Sequence, residues 1–327
     1  MAELRYNPLT KDWVMIASHR QNRPQMPKDW CPFCPGSGKV PENFTVYKYD
    51  NDFPALSQTP PVPDDVATDL YQTREAYGKC EVILYSPNHT ITLPELSVAH
   101  IRELVDLWTS RFEELRKDKK IKYIFIFENR GDVVGVTMPH PHGQIYGYSY
   151  IPKKLEVELA SSKEYLAEKG RCLFCDILKN EKEYKERIIF ENEDFVTFLP
   201  FFTDYPYGVY IGAKEHIQNL SQFNDRQKDN LAKILKETAG TLDSLFGFPF
   251  PYMMCMHQDP VNSEDCSEYF HFHIEFFPPL RAADKQKFNA SSETGAWAAC
   301  NPTAPEEKAQ ELREAHQRFL KKMAHTD

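Results

Sequence analysis

At Met138-Pro139-His140-Pro141-His142-Gly143-Gln144 the chain carries residues suited to phosphorus chemistry. Two histidines at i and i+2 on an extended segment share a face and lie about 6–7 Å apart. One imidazole can then act as a brace or metal ligand while its neighbour, His142, faces a substrate. An imidazole is a good nucleophile at neutral pH, so His142 is a candidate nucleophile for phosphoryl or nucleotidyl transfer. Gln144 adds an amide donor to the same face, and Gly143 is expected to let a ligand approach the backbone. The plainer reading is a pair of structural histidines on a strand; the Gly-Gln tail and the cysteine pattern weigh against it.

Four of the eight cysteines form two C-x2-C pairs, Cys31-Pro-Phe-Cys34 and Cys172-Leu-Phe-Cys175, about 140 residues apart. Such pairs in a reducing compartment read first as metal ligands or redox centres. A redox role is disfavoured because neither pair is expected to follow a strand and open a helix. The elements after each pair run in the same order. After the first come a strand Val82–Tyr85, then His89, and an amphipathic helix from Val98 to Arg116 with Ser97 as N-cap. A strand Tyr123–Phe127, a loop 128–137 and the strand carrying His140 and His142 complete the unit. After the second come strands over 187–190, 195–199 and 209–212, then His216, a helix over 225–245, and a strand 252–256. A loop 259–268 and a strand Phe270–Phe277 carrying His271 and His273 follow. His89 to His140 spans 51 residues and His216 to His271 spans 55. The chain is written twice, with expected domains 1–155 and 156–327.

Cys31, Cys34, His89 and His140 supply two thiolates and two imidazoles, the closed tetrahedral set of structural zinc. Cys172, Cys175, His216 and His271 supply it again, predicting two zinc ions per chain. A rival second site, for zinc or iron, would use Glu158, His257, His271 and His273 without the cysteines; the softer set mirrors the first half and is preferred for zinc. The halves differ where chemistry would sit. His273 is followed by Ile274-Glu275, so the second H-x-H strand is expected to be structural, with a carboxylate that would repel phosphate.

The composition agrees with a globular protein that has ample core. The 327 residues are 41% hydrophobic with a formal net charge of −9, and basic runs are lacking, which argues against nucleic-acid binding. Neither a signal core at the start nor an apolar run of membrane-spanning length is evident, so a soluble cytoplasmic protein without a membrane partner is expected.

The His140–Gln144 run, Ser86-Pro-Asn-His-Thr-Ile-Thr-Leu-Pro-Glu-Leu-Ser97, and Arg5-Tyr-Asn-Pro-Leu-Thr10 with Trp13 resemble galactose-1-phosphate uridylyltransferases, duplicated members of the histidine-triad superfamily. The resemblance runs from about residue 4 to 313. It implies an α+β fold: two histidine-triad-like repeats fused into one largely antiparallel sheet or half-barrel with flanking helices, assembled as a homodimer. It also implies a ping-pong exchange of UMP between UDP-glucose (or UDP-galactose) and galactose 1-phosphate through uridylyl-His142, with Gln144 on a phosphate oxygen. Matched position by position, Asn51 and Asp52 would contact uridine and ribose, and Asn129 would lie near the phosphates. Gly135 and Thr137 would wrap the phosphates, and Arg20 and Arg23 would face them. Lys287 and Glu293 would touch the hexose from the partner subunit. Val136, Ser292 and Ala299 stand where the family often has cysteine, tyrosine and glutamine. The alternatives are an ADP-sugar or dinucleoside-polyphosphate phosphorylase of the same superfamily, and a catalytically dead zinc-stabilised nucleotide-binding module. Phosphorylases tend to carry serines where this chain has Pro141 and Gly143.

Overall fold

The computed structural model describes residues 2–22 and 30–325. Along the chain lie β1 (Ala2–Asn7), β2 (Asp12–Ala17), β3 (Tyr47–Asp50), β4 (Thr73–Glu75), β5 (Gly78–Leu84), α1 (Val98–Leu115), β6 (Tyr123–Arg130) and β7 (His142–Tyr148). Then come α2 (Lys153–Lys169), α3 (Leu173–Tyr184), β8 (Ile188–Glu191), β9 (Phe195–Phe198), β10 (Tyr210–Ala213), α4 (Asp225–Phe246), β11 (Tyr252–His257) and β12 (His273–Phe277). The hairpin β13 (Leu280–Ala282) and β14 (Lys285–Gln286), α5 (Ser291–Ala296) and α6 (Pro305–Ala324) follow.

One nine-stranded sheet, in the order β3-β5-β7-β6-β11-β12-β10-β9-β8, organises the molecule, and its neighbours pair antiparallel throughout. The order reads the same outward from the central β6–β11 pair: β7 answers β12, β5 answers β10, and β3 answers β9. This is the duplication expected from the chain, joined edge to edge as a single α+β sheet.

The two faces of the sheet are chemically distinct because side chains alternate along a strand. Ile124, Ile126 and Ile145 point to one face and join Ile101, Leu104, Val105, Trp108 and Phe112 of α1 in the main core. Ser97 caps α1 by accepting the His100 N–H at 3.1 Å, as its sequence suggests. Asn224 caps α4 in the same way, and Gly247 ends that helix at φ 80°. The helices cross-link through Arg102, which reaches Asp225 at 2.7 Å and Asp229 at 2.6 Å. The opposite face carries His142, Gln144, Phe127, Asn129, His257, His273 and Glu275, so both repeats present their chemistry to one side.

Several elements depart from expectation. β6 runs on through Glu128, Asn129 and Arg130, because these pair with β11 as far as Tyr252. His140 and His271 each precede their strand, since ladder pairing begins at His142 and His273. Cys172 stands at the N-cap position of α3 without a side-chain capping bond and Cys175 lies within the helix, so the second C-x2-C pair does open a helix, although α2 rather than a strand precedes it. The small sheet β2-β1-β4 and helices α2, α3 and α6 add to the elements expected from the sequence.

Candidate active site and metal centres

His142 opens β7, opposite Leu84 of β5. Its Nδ1 lies 2.8 Å from the carbonyl oxygen of His140. A carbonyl only accepts, so Nδ1 carries the proton in the neutral ring and Nε2 holds the lone pair. Gln144 stands two residues on, opposite Val82 and Phe127, and Asn129 shares that face on β6.

The first cysteine pair meets its histidines as predicted. Cys34 Sγ lies 3.4 Å from His89 Nδ1 and 3.6 Å from His140 Nδ1, and Cys31 Sγ is 3.7 Å from His140 Nδ1. The four ligand atoms fall within 4.8 Å of one another. His140 Nε2 donates to the Ser86 carbonyl at 2.8 Å, which turns the Nδ1 lone pair toward the thiols. Burial depresses the His140 pKa to about 4, keeping the ring neutral as a ligand must be. Phe33, inside the C-x2-C loop, packs edge-on against both His140 and His142, at 6.0 and 5.9 Å between centroids. The loop that gathers the ligands therefore also walls the His142 ring.

The second repeat repeats this geometry. Cys175 Sγ lies 3.4 Å from His216 Nδ1 and 3.3 Å from His271 Nδ1, with Cys172 Sγ 3.9 Å from His271 Nδ1. His271 Nε2 donates to the Ala213 carbonyl at 2.8 Å, the counterpart of Ser86. Two sets of two thiols and two imidazoles, each with oriented Nδ1 atoms, are suited to a metal ion.

A third group gathers Glu158, His257, His273 and Glu275 within the same limit. The rival set is thereby corrected: His271 belongs to the cysteines, and Glu275 takes its place beside His257 and His273. His257 Nδ1 meets Glu158 at 2.8 Å, and Lys154 forms an ion pair with Glu275 and lies 3.9 Å from Glu158. The spacing His273-x-Glu275 on a strand was the available signal for this group. Glu275 is thus buried and already paired, and His273 is closed off as well. Phe174 stacks on its ring at 4.5 Å and Tyr210 at 5.8 Å, each 18° from parallel. Stacked rings enclose His273, whereas His142 stays half-buried with the Phe33 edge against its ring.

The remaining site residues divide by position. Asn51 and Asp52 follow β3, two strands from β7. Asn51 Oδ1 accepts the Phe53 N–H at 2.9 Å, and Asp52 accepts the Tyr49 hydroxyl at 2.8 Å. Tyr49 packs on Phe33 at 5.3 Å, linking this turn to the His142 wall. Arg20 lies close enough to Cys80 on β5 to pull down a thiol pKa that burial has raised. Arg23 lies outside the described residues. Gly135, at φ 80°, and Thr137 are exposed in the loop between β6 and β7. Lys287 and Glu293 keep to the C-terminal repeat. Lys287 Nζ donates to Asn289 and lies over the Tyr205 ring, while Glu293 accepts the Ala290 N–H.

Gly143 holds a second correction. It alternates with His142 and Gln144, so it faces the helix layer rather than the face that carries His142. A Cβ at this position would fall 2.4 Å from the Tyr85 hydroxyl oxygen. The glycine makes room for a tyrosine behind the strand, not for a substrate in front of it.

An antiparallel sheet of two His-x-His repeats, one with a half-buried imidazole and one sealed, defines a duplicated α+β protein. The sequence matches the galactose-1-phosphate uridyl transferase N-terminal domain over residues 1–152 and the C-terminal domain over 158–323. It is 43% identical to the galactose-1-phosphate uridylyltransferase of Thermotoga maritima, covering 96% of this chain and 98% of the relative. A solved uridylyltransferase structure superposes with a TM-score of 0.90 at 31% identity, covering 97% and 99% of the two chains. An ADP-glucose phosphorylase from Arabidopsis thaliana superposes at 0.74 and 26% identity, covering 96% and 99%. The chain belongs to the galactose-1-phosphate uridylyltransferase family.

Proposed function

We propose that this enzyme transfers a uridylyl group between UDP-glucose and galactose 1-phosphate through a covalent uridylyl-His142. The observation that carries the reading is the His142 Nδ1 contact with the His140 carbonyl, 2.8 Å, which leaves the lone pair on Nε2 of a half-buried ring. Nε2 attacks the α-phosphorus, an N–P bond forms, and the P–O bond to glucose 1-phosphate breaks with the electron pair leaving on its phosphate oxygen. A phosphate oxygen of galactose 1-phosphate then attacks the same phosphorus, and the N–P electron pair returns to Nε2. The Gln144 amide, on the His142 face, donates to a non-bridging oxygen as charge shifts. Asn129, Arg20, Arg23, Gly135 and Thr137 are assigned to the phosphates, and Asn51 and Asp52 to the nucleoside.

Zinc is assigned to both cysteine sets, held by Cys31, Cys34, His89 and His140 and by Cys172, Cys175, His216 and His271. Four protein donors close each site, so the ion supplies structural cross-linking between each C-x2-C loop and its His-x-His segment. The halves 1–155 and 156–327 are assigned nucleophilic and structural roles; the domain matches, meeting between residues 152 and 158, support that division. A homodimer sharing Lys287 and Glu293 across its interface is supported by the strongly exposed Phe288 within that segment and Trp297 just after it. Among the described residues no helix is long and apolar enough to cross a membrane; the cytoplasm is the proposed location.

The test is intact-protein mass spectrometry after mixing with UDP-glucose or ADP-glucose in the absence of acceptor. A uridylyl adduct from UDP-glucose alone is expected. A preferred adenylyl adduct would favour the phosphorylase reading that the Arabidopsis superposition raises, and no adduct from either donor would refute transfer through a covalent histidine.

A further inference from the structure

We propose that Tyr85 is a positioning residue for His142, gripping the His140–Gly143 segment from behind at two points. The inference rests on His142 being the nucleophile. The first point is the main chain: the Tyr85 N–H donates to the Pro141 carbonyl at 3.0 Å, between the two histidines. The second is the side chain, whose hydroxyl oxygen occupies the place a Cβ would take at Gly143, 2.4 Å from that position.

Tyr85 is itself tightly held. It follows β5, is 1% exposed, and its ring meets Trp108 of α1 edge-on at 5.9 Å. Its carbonyl accepts from His100 Nε2 at 2.6 Å, tying it to the first turn of α1. The next residue, Ser86, takes the His140 ring through its carbonyl. Two consecutive residues after β5 thus set both histidines, one through the backbone behind it and one through its ring.

The hydroxyl faces a polar chain buried beneath the sheet. Glu128 interacts with it electrostatically, and among the described residues Tyr85 Oη and Glu128 Oε2 are both buried without a hydrogen bond of ordinary geometry. The Tyr252 hydroxyl donates to Glu128 Oε1 at 3.2 Å, and Arg130 on the same strand closes a bidentate pair with Asp243 at 2.8 and 2.9 Å. Glu128 immediately precedes Asn129, which shares the sheet face of His142. The Tyr85 hydroxyl thus joins the backs of β7 and β6, behind two residues assigned to the phosphate. A ring whose main chain and hydroxyl both bear on a three-residue segment limits its sliding and tilt, and small misplacements of a nucleophile are costly in rate.

The experiment is a double-mutant cycle on Tyr85→Phe and Gly143→Ala, read as the single-turnover rate of uridylyl-protein formation from UDP-glucose, with KM and thermal stability measured in parallel. Tyr85→Phe should slow uridylylation about tenfold per folded molecule with little change in KM, and Gly143→Ala about a hundredfold, the scale of an ångström-sized displacement. The double variant should be faster than Gly143→Ala, because removing the hydroxyl oxygen leaves the Phe127 carbonyl and the ring edge, each 3.1 Å away, as the nearest atoms. A merely structural tyrosine would lower thermal stability while the rate per folded molecule stayed at the parent value; that result overturns the proposal, as does a double variant no faster than Gly143→Ala. If the parent chain itself forms no uridylyl adduct, the His142 reading fails and takes the Tyr85 role with it.

Discussion

His142 and His273 are held by the same bond. In each, Nδ1 meets the carbonyl of the histidine two residues earlier, at 2.8 Å for His142 and 2.9 Å for His273. Both rings therefore direct Nε2 away from the metal-ligand segment, and local geometry alone makes them equal candidates for nucleophile. What separates them lies on other strands. Phe174 and Tyr210 stack on the His273 ring, and Glu275 lies 3.6 Å from its Nε2. His142 meets the edge of Phe33 and has the neutral amide of Gln144 where Glu275 stands in the other repeat.

His142→Gly should abolish uridylyl-protein formation while leaving metal content and fold intact, and added imidazole should restore part of the turnover. His273→Gly should still form the adduct but lose about 2–4 kcal/mol of stability, because a buried ring stacked against Phe174 and Tyr210 leaves a cavity. Peptide mapping of the adduct together with chemical denaturation checks both. A modified peptide lacking residue 142 would refute the assignment.

Elemental analysis should find two zinc equivalents per chain. Cys172→Ser with Cys175→Ser should remove one and lower the unfolding temperature, whereas Glu158→Ala should leave both. Loss of zinc on Glu158→Ala would transfer the second ion to the Glu158–His257–His273–Glu275 group.

Burial pushes the Glu128 carboxyl up to about 7, against the opposing pull of Arg130 and the Tyr252 and Tyr85 hydroxyls. A carboxyl whose folded pKa lies above its unfolded value of about 4.5 holds its proton more tightly when folded. The stability it contributes is full below about pH 4.5 and is lost as pH rises through about 7. Glu128→Gln should flatten this decline, so the variant gains on the parent as pH rises. Urea unfolding midpoints at about pH 5 and pH 8 test the sign, and parallel pH dependences in the two proteins would exclude it.

Gly240 sits in α4 against the ring of Phe319 on α6, and a Cβ there would fall 2.2 Å from the ring. Gly240→Ala should destabilise the chain by about 1–3 kcal/mol through overpacking, despite the better helix propensity of alanine. Pairing it with Phe319→Leu should recover part of the loss. A Gly240→Ala protein more stable than the parent would mean that α6 shifts freely on α4.

Donor types and short-range spacing were legible along the chain. Two C-x2-C pairs, the strand-then-histidine segments and the His-x-His pairs are local patterns whose chemistry follows from residue identity. Their repetition implied the duplicated fold, and the Ser97 cap with the apolar stripe of α1 set that helix within a residue of its observed end. Decisions requiring two distant segments to meet were not legible. Alternation along a strand relates neighbours to one another, but helix packing decides which face becomes interior, and so Gly143 turned out to serve Tyr85 rather than a ligand. His271 lies two residues before His273 yet belongs to a different cluster, because ladder pairing starts at His273 and leaves His271 beyond the sheet, against α3. The sequence by itself determined which atoms are available for metal binding and nucleophilic attack. The tertiary structure decided which of them share a cluster and which histidine stays only half-buried, since both depend on contacts among elements far apart in the chain.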